Sequence, residues 1–236
     1  MTERPRPVVA IDGPAGAGKS AVAARVASTL GYVLLGTGAL YRCVALAAAR
    51  ANVPWSQAAR VGQLAEQLAR RGAIRLFSGP ERERVLLDGE DVTGAIRAEL
   101  IGEGASQVSA HPEVRAALLG IQRQAGREGG VVLEGRDIGT AVFPDAEAKF
   151  FLTASAEVRA ERRLRQLRAG GEHAELETVL REVLQRDQRD SARSVAPLRR
   201  AADAELVDSS QLGIQEVVDR IVARVRQVEA RMARVG

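Results

Sequence analysis

A hydrophobic run, Val8-Val9-Ala10-Ile11, leads into Asp12-Gly13-Pro14-Ala15-Gly16-Ala17-Gly18-Lys19-Ser20, and helix-forming sequence follows. The glycine-rich part matches G-x-x-x-x-G-K-[ST]. In that turn, backbone N–H groups and a helix N-terminus converge on negative charge. Val22, Val26 and Leu30 recur at helical spacing after it. Lys19 has the reach to touch the β- and γ-phosphates of a nucleotide, and the Ser20 hydroxyl suits the Mg²⁺ that bridges them. A plain strand-to-helix turn requires neither three glycines nor a lysine. Gly13, Pro14, Ala15, Gly16, Ala17, Gly18, Lys19, Ser20 and Ala21 therefore form a candidate nucleoside triphosphate loop.

Composition sharpens that reading. Of 34 basic residues only Lys19 and Lys149 are lysine, so 32 are arginine. A bias of the genome toward arginine explains this, and it makes the retained Lys19 more telling, since a guanidinium does not replace an ammonium in a narrow phosphate loop. At 236 residues the chain suits one α/β domain with small insertions. Aromatics make up 3%, so the core must come from Ala, Val, Leu and Ile, and no base-stacking surface is expected. The net charge of +4 is mild and the arginines are interspersed with acids, which argues against a nucleic-acid partner. A site that handles two phosphorylated nucleotides would use many arginines. The single Cys43 allows no internal disulfide and reads as core. No apolar run has membrane-spanning length, and Met1–Pro7 lacks a signal-type segment. A soluble, cytoplasmic monomer without membrane contact is expected.

Strand patterns at Val8–Asp12, Tyr32–Leu35, Val131–Glu134, Lys149–Leu152 and Glu205–Val207 alternate with helical ones. The helices are read at Gly18–Leu30, Gly38–Ala51, Gln57–Arg71, Pro112–Arg127, Ala156–Arg168, Leu176–Arg189 and Ile214–Arg231. Such alternation predicts an α/β three-layer sandwich around a five-stranded parallel sheet. Ser56 is the expected N-cap of the third helix, with Gly72 just past its end. Val217, Ile221, Val225 and Val228 form a packing stripe on the last helix. Two segments break the pattern. Ala73–Thr93 has short apolar runs separated by Ser78-Gly79-Pro80 and Asp88-Gly89, which predicts a small antiparallel insert of about three strands. Arg159–Arg193 is rich in Arg and Glu, with Gly170-Gly171 between two helical halves. Charge density alone leaves it equally a solvated surface or a lid over the phosphates.

Two further segments bear on the acceptor. Thr37-Gly38-Ala39-Leu40-Tyr41-Arg42 is a second turn opening a helix, able to take another anion with Arg42 one turn in. Val131-Val132-Leu133-Glu134-Gly135-Arg136-Asp137 then places a carboxylate, Glu134, at a strand's C-terminal end, a position suited to holding Mg²⁺ through water. Arg136 and Asp137 follow it into the same crevice, unless they are merely a surface ion pair.

Taken together, these motifs resemble those of bacterial cytidylate kinases. The resemblance rests on residues 11–20, on Thr37 to Arg42, on Leu87-Asp88-Gly89-Glu90-Asp91-Val92-Thr93 and on Ala105-Ser106-Gln107-Val108-Ser109. It continues through Gly135-Arg136-Asp137-Ile138-Gly139-Thr140-Ala141-Val142-Phe143-Pro144-Asp145-Ala146, the most specific block, then Phe151 to Ser155 and Arg186-Asp187-Gln188-Arg189-Asp190-Ser191. Ala196-Pro197-Leu198 and Ala202-Asp203-Ala204 complete a likeness over nearly the whole chain. It implies transfer of the ATP γ-phosphoryl to CMP or dCMP. It also implies a core over 1–72, 94–158 and 194–236, a nucleoside-monophosphate-binding insert at 73–93 and a lid at 159–193.

Carried onto this sequence, the resemblance gives Arg42, Arg136 and Arg193 to the CMP phosphate, beside Thr37 in the turn. Asp190 and Arg186 go to the ribose; Ser106, Arg115 and Asp137 to the base. Cytosine presents a donor at N4 and an acceptor at N3, which an Asp and an Arg complement and uracil does not. Arg159, Arg162 and Arg163 share one helix face and are the candidates for covering the migrating phosphoryl. Ser20 and, through water, Glu134 would hold Mg²⁺. The family's usual Asp is Gly36 here; Glu134 is often Asp in relatives, and Ala21 replaces a frequent Thr. The mechanism implied is direct in-line transfer: the acceptor phosphate is already ionised, so no general base is required. His111 and His173 match no motif and are expected at the surface. The competing readings are a P-loop kinase for another small acceptor, a nucleotide-binding switch protein and, least favoured by the charge pattern, a nucleic-acid binder.

Overall fold

The computed structural model describes residues 4–78 and 83–234. In chain order the elements are β1 (Val8–Asp12), α1 (Lys19–Leu30), β2 (Val33–Gly36), α2 (Thr37–Arg50), α3 (Ala58–Arg70), β3 (Ile74–Ser78), β4 (Glu83–Leu87) and β5 (Glu90–Asp91). They continue with α4 (Glu99–Val108), α5 (Pro112–Ala125), β6 (Val131–Gly135), β7 (Ala148–Thr153), α6 (Ala156–Ala169), α7 (Leu176–Ser191), β8 (Glu205–Asp208) and α8 (Ile214–Met232). Two compact units result: Met1–Tyr32 with Gly129–Gly236, and Val33–Glu128. The parallel sheet has the expected five strands, four of which, in the order β6-β1-β7-β8, belong to the first unit.

In that first unit β1 is the middle strand. Its register runs Val8↔Val131 to Asp12↔Gly135 on one side and Val9↔Ala148 to Asp12↔Phe151 on the other. All five of its residues are buried, which is why it reads as an unbroken apolar run rather than an alternating one. The parallel register brings the C-terminal ends of β1, β6 and β7 to one edge, the side on which such sheets bind ligands. α8 buries Val217, Ile221, Val225 and Val228, as its stripe predicts, and packs against α1. α6 begins at Ser155, whose Oγ accepts from the Val158 N–H at 3.3 Å. α6 and α7 share a small apolar cluster of Ala160, Leu164, Leu167, Val179 and Val183, with Gly170 and Gly171 in the connection between them.

The second unit packs α2, α3, α4 and α5 around Leu40, Cys43, Val44, Val61, Leu68, Val108 and Leu118. The insert is a three-stranded antiparallel sheet, β3-β4-β5, and its Val85 and Leu87 enter the same core. Asp88 and Gly89 both adopt positive φ (52° and 84°), the combination a tight two-residue hairpin turn demands. The other expected turn, at Ser78-Gly79-Pro80, has Gly79 and Pro80 outside the described residues. Ser56 is not the cap of α3. Gln57 holds that position without a side-chain cap, because a turn closed by the Gln57 N–H on the Pro54 carbonyl delays the helix to Ala58. His111 is half-buried rather than at the surface: its Nε2 lies 2.7 Å from the Trp55 carbonyl. His173 is exposed.

α4 has no counterpart among the expected helices. Gly102 and Gly104 interrupt its helical signal, and each has a packing reason. A Cβ on Gly104 would stand 2.5 Å from the Trp55 ring, and one on Gly102 would stand 3.2 Å from the Arg42 guanidinium. Among the described residues no helix is long and apolar enough to cross a membrane.

Candidate active site

The turn after β1 is built from backbone. Gly13 lies so close to β7 that a Cβ there would fall 1.9 Å from the Leu152 carbonyl oxygen. Gly18 caps α1 at φ 89°, a conformation that side chains resist. With no side-chain cap, the first N–H groups of α1 stay available to an anion. The Lys19 Nζ donates to the Pro14 carbonyl at 2.7 Å and the residue is 5% exposed. Burial pushes this ammonium down to about 7, with Arg136 adding to the effect and Glu134 and Asp190 opposing it. An incoming phosphate supplies the negative charge that restores it.

The Ser20 hydroxyl donates to Glu134 Oε1 at 3.0 Å. A hydroxyl facing a carboxylate suits a hard cation, and so fits Mg²⁺. Among the described residues no group of three or more His, Cys, Asp or Glu could hold a metal. An ion here would thus complete its shell with water and phosphate oxygens, as Mg²⁺ commonly does.

Beside the lysine lies a clamp. Asp190, 1% exposed, accepts from Arg136 Nε at 2.8 Å through one oxygen and pairs with the Arg193 guanidinium through the other. Burial alone would raise this carboxyl; Arg136, Arg193 and Arg186 outweigh it and hold it below the usual carboxylate range. Arg186, half-buried, lies on the same helix. One buried anion thus fixes two guanidinia, and it and one of them, Arg136, act electrostatically on Lys19.

The α6 arginines differ from one another. Arg159 is buried, donating to the Ala154 carbonyl at 2.9 Å and the Ala15 carbonyl at 3.1 Å while pairing with Asp187 at 2.7 Å. Arg162 donates to the Ala17 carbonyl at 3.4 Å and to Ser209, Oγ at 3.0 Å and carbonyl at 2.7 Å. Both guanidinia therefore sit on carbonyls of the phosphate loop. Arg163 is half-buried on the same helix.

β6 ends in Gly135, and a tight turn over 138–142 follows, where the Ala141 and Val142 N–H groups return to the Asp137 carbonyl at 2.9 and 3.2 Å. Asp137 is buried at 5% exposure.

In the second unit Thr37 is buried at the first position of α2, preceded by Gly36, which as N-cap offers no side chain. Arg42 donates to the Ile96 carbonyl at 2.7 Å. Arg115 lies over the Tyr41 ring, 5.6 Å from its centroid, and donates to the Ser109 carbonyl at 3.2 Å. The Ser109 hydroxyl in turn donates to the Ser106 carbonyl at 3.0 Å. The buried Ser106 Oγ has no hydrogen-bond partner among the described residues. Buried hydroxyls in native proteins normally meet a partner, whether protein, ordered water or ligand, so this oxygen has a hydrogen bond to offer.

The first unit therefore brings together Lys19, Ser20, Glu134, Arg136, Asp190 and Arg193; the second joins Ser106 to Arg115. Sequence reasoning assigned no role to Asp12, Tyr41, Ser109, Asp187 or Ser209. Asp12 was detectable as a charge at the end of an otherwise apolar strand; nothing in the local pattern marks the others.

A strand, a glycine turn and a helix opening on a buried lysine and a hydroxyl define a P-loop nucleotide-binding protein. The family model described as cytidylate kinase matches residues 9–227, and the chain belongs to that family. It is 49% identical over 224 residues to the cytidylate kinase of Syntrophotalea carbinolica, covering 94% of both chains. It is likewise 49% identical over 223 residues to that of Stutzerimonas stutzeri, covering 94% of this chain and 96% of the relative. A bifunctional pantoate ligase/cytidylate kinase of a Synechococcus strain is 50% identical over 226 residues; that match takes in 94% of this chain and 41% of the relative's length. The crystal structure of an uncharacterised protein from Eubacterium ventriosum shares the fold alone, with a TM-score of 0.53 at 12% identity over 94% of this chain and 99% of that one.

Proposed function

We propose that the chain transfers the γ-phosphoryl of ATP to CMP or dCMP, with ATP on the loop 13–21 and the acceptor phosphate on Arg136 and Arg193. The Asp190 clamp carries this reading: two guanidinia fixed by one buried carboxylate, which with Arg136 acts on the phosphate-loop lysine, suit a second phosphorylated molecule facing the first. Family membership supports ATP-dependent phosphorylation of CMP or dCMP as the reaction.

Lys19 binds the β- and γ-phosphates and stabilises the charge that spreads over the γ-oxygens in transfer. Arg136 and Arg193 orient the acceptor phosphate, whose ionised oxygen attacks in line; no proton needs removing from it. Arg42 is assigned to the same phosphate, with Thr37 in the turn beside it. Ser20 and, through water, Glu134 hold Mg²⁺, which when bound supplies charge neutralisation across the donor phosphates. Ser106, Arg115 and Asp137 read cytosine; the unpartnered Ser106 hydroxyl is the support within the second unit. Arg186 and Asp190 are assigned to the ribose, where Asp190 must also keep its two arginines. Arg159 and Arg162 hold the phosphate loop through its carbonyls and, with Arg163, cover the transferring group. Residues 159–193 act as lid and 73–93 as acceptor insert, excluding water as a competing acceptor. A cytoplasmic location and a monomer complete the reading.

A coupled ADP-release assay with ATP–Mg²⁺ and a panel of acceptors tests it. Turnover on CMP and dCMP, with UMP, AMP, GMP and shikimate far behind, is expected. Equal rates with every acceptor would overturn it.

A further inference from the structure

Asp12 has no part in the assignments above, yet both of its carboxylate oxygens are engaged by backbone N–H groups at the sheet edge. It is 4% exposed at the end of β1, one residue before the phosphate loop. Its Oδ1 accepts from the Ile138 N–H and its Oδ2 from the Gly139 N–H, each at 2.7 Å. These are the first two residues of the turn over 138–142, whose remaining N–H groups close on the Asp137 carbonyl. A side chain from β1 therefore caps the turn that directly follows Arg136 and Asp137. Gly139 completes the fit. A Cβ there would lie 3.4 Å from Asp12 Oδ2 and 3.2 Å from Lys149 Cδ. Lys149 cannot easily yield, since its Nζ is held by the Pro144 carbonyl and by Asp203 at 2.7 Å.

We infer that Asp12 is a positioning residue for the acceptor: its carboxylate fixes the Ile138–Gly139 backbone and thereby sets where Arg136 and Asp137 stand against CMP. This rests on the roles proposed above for those two residues. Loss of the bidentate cap lets the turn shift by tenths of an ångström, which a buried, geometry-dependent base contact feels strongly. The glycine loop is built from its own backbone, so ATP binding depends much less on the cap.

The test uses the full chain with Asp12→Asn, which keeps shape but puts an amide NH₂ against one backbone N–H, and with Gly139→Ala, which crowds the same turn from outside. Steady-state kinetics with CMP and UMP are paired with calorimetric ATP binding, and Arg136→Ala serves as the control for the site. The expected result is a rise of about tenfold in KM for CMP and a comparable fall in the CMP-over-UMP ratio of kcat/KM, with ATP affinity within about twofold of wild type. Gly139→Ala should move the same parameters in the same direction, and it decides the matter should Asp12→Asn fail to fold. A KM for CMP and a CMP-over-UMP ratio unchanged in both variants, or ATP and CMP affinities lost in parallel, would overturn the inference. If Arg136→Ala itself leaves the CMP parameters unchanged, the site reading fails instead.

Discussion

The loop proposed for the donor and the residues proposed for the acceptor are held by different means. Residues 13–18, proposed to bind phosphate, would do so with main-chain N–H groups whose directions follow from glycine conformations and from the close approach of Gly13 to Leu152. The groups proposed for the acceptor are side chains, each held within its own unit: Arg136 and Arg193 by the Asp190 carboxylate, Arg115 by the Ser109 carbonyl and the Tyr41 ring. A backbone site takes its donor directions chiefly from its own glycines, even where distant residues such as Leu152, Arg159 and Arg162 hold it in place. A side-chain site is specified by a network, so removing one member leaves another buried and unpaired.

The largest effect expected is at the charge on which both regions bear. Lys19→Met should lower kcat by about 100–1,000-fold, the scale seen when one preorganised donor to a developing charge is lost. Calorimetry should find CMP binding retained. A variant with kcat within about tenfold of wild type would show that the loop backbone suffices without its lysine.

Asp190→Asn should come next and strike the acceptor side far more than the donor loop, where it removes one of the charges that support the Lys19 ammonium. Arg136 and Arg193 lose their shared counter-charge, and KM for CMP should rise by about 10–100-fold while ATP affinity holds. Parallel losses of ATP and CMP affinity would break the contrast between the two regions.

The smallest effect is one of pH. Burial raises the Asp12 carboxyl to about 6, against which the Gly139 and Ile138 N–H groups act. A carboxyl raised on folding contributes most below its unfolded value near 4, and that contribution is lost as pH rises through about 6. Asp190, held low, tilts stability the other way. The difference in unfolding free energy between wild type and Asp12→Asn should therefore fall by about 2–3 kcal/mol from pH 4 to pH 7, read by urea denaturation. A flat difference would place the ionised form of Asp12 in the unliganded fold throughout.

The same contrast explains what could be read from sequence. The donor loop is contiguous, so its strand, glycines, Lys19 and Ser20 stand in one pattern, and the alternation of apolar runs reports the parallel sheet around it. The Asp88-Gly89 turn was equally plain, because both positions need positive φ. α4 was not legible, since Gly102 and Gly104, needed to admit Arg42 and Trp55, erase the helical signal. The residues proposed for the acceptor lie on separate segments from Thr37 to Arg193, and no period relates them; the turn at Thr37 to Arg42 and the Arg136-Asp137 pair could be picked out from the residues, and the family resemblance named the rest. Asp12 shows why. Its partners are backbone N–H groups 126 and 127 residues away, and a sequence carries no mark of which N–H a carboxylate will meet.

The most direct test of the whole account is ADP release with ATP–Mg²⁺ across CMP, dCMP, UMP, AMP and GMP, run on the unmodified chain. The account predicts turnover on CMP and dCMP well above every other acceptor. Faster turnover on another monophosphate, or ADP release indifferent to the acceptor, would contradict it.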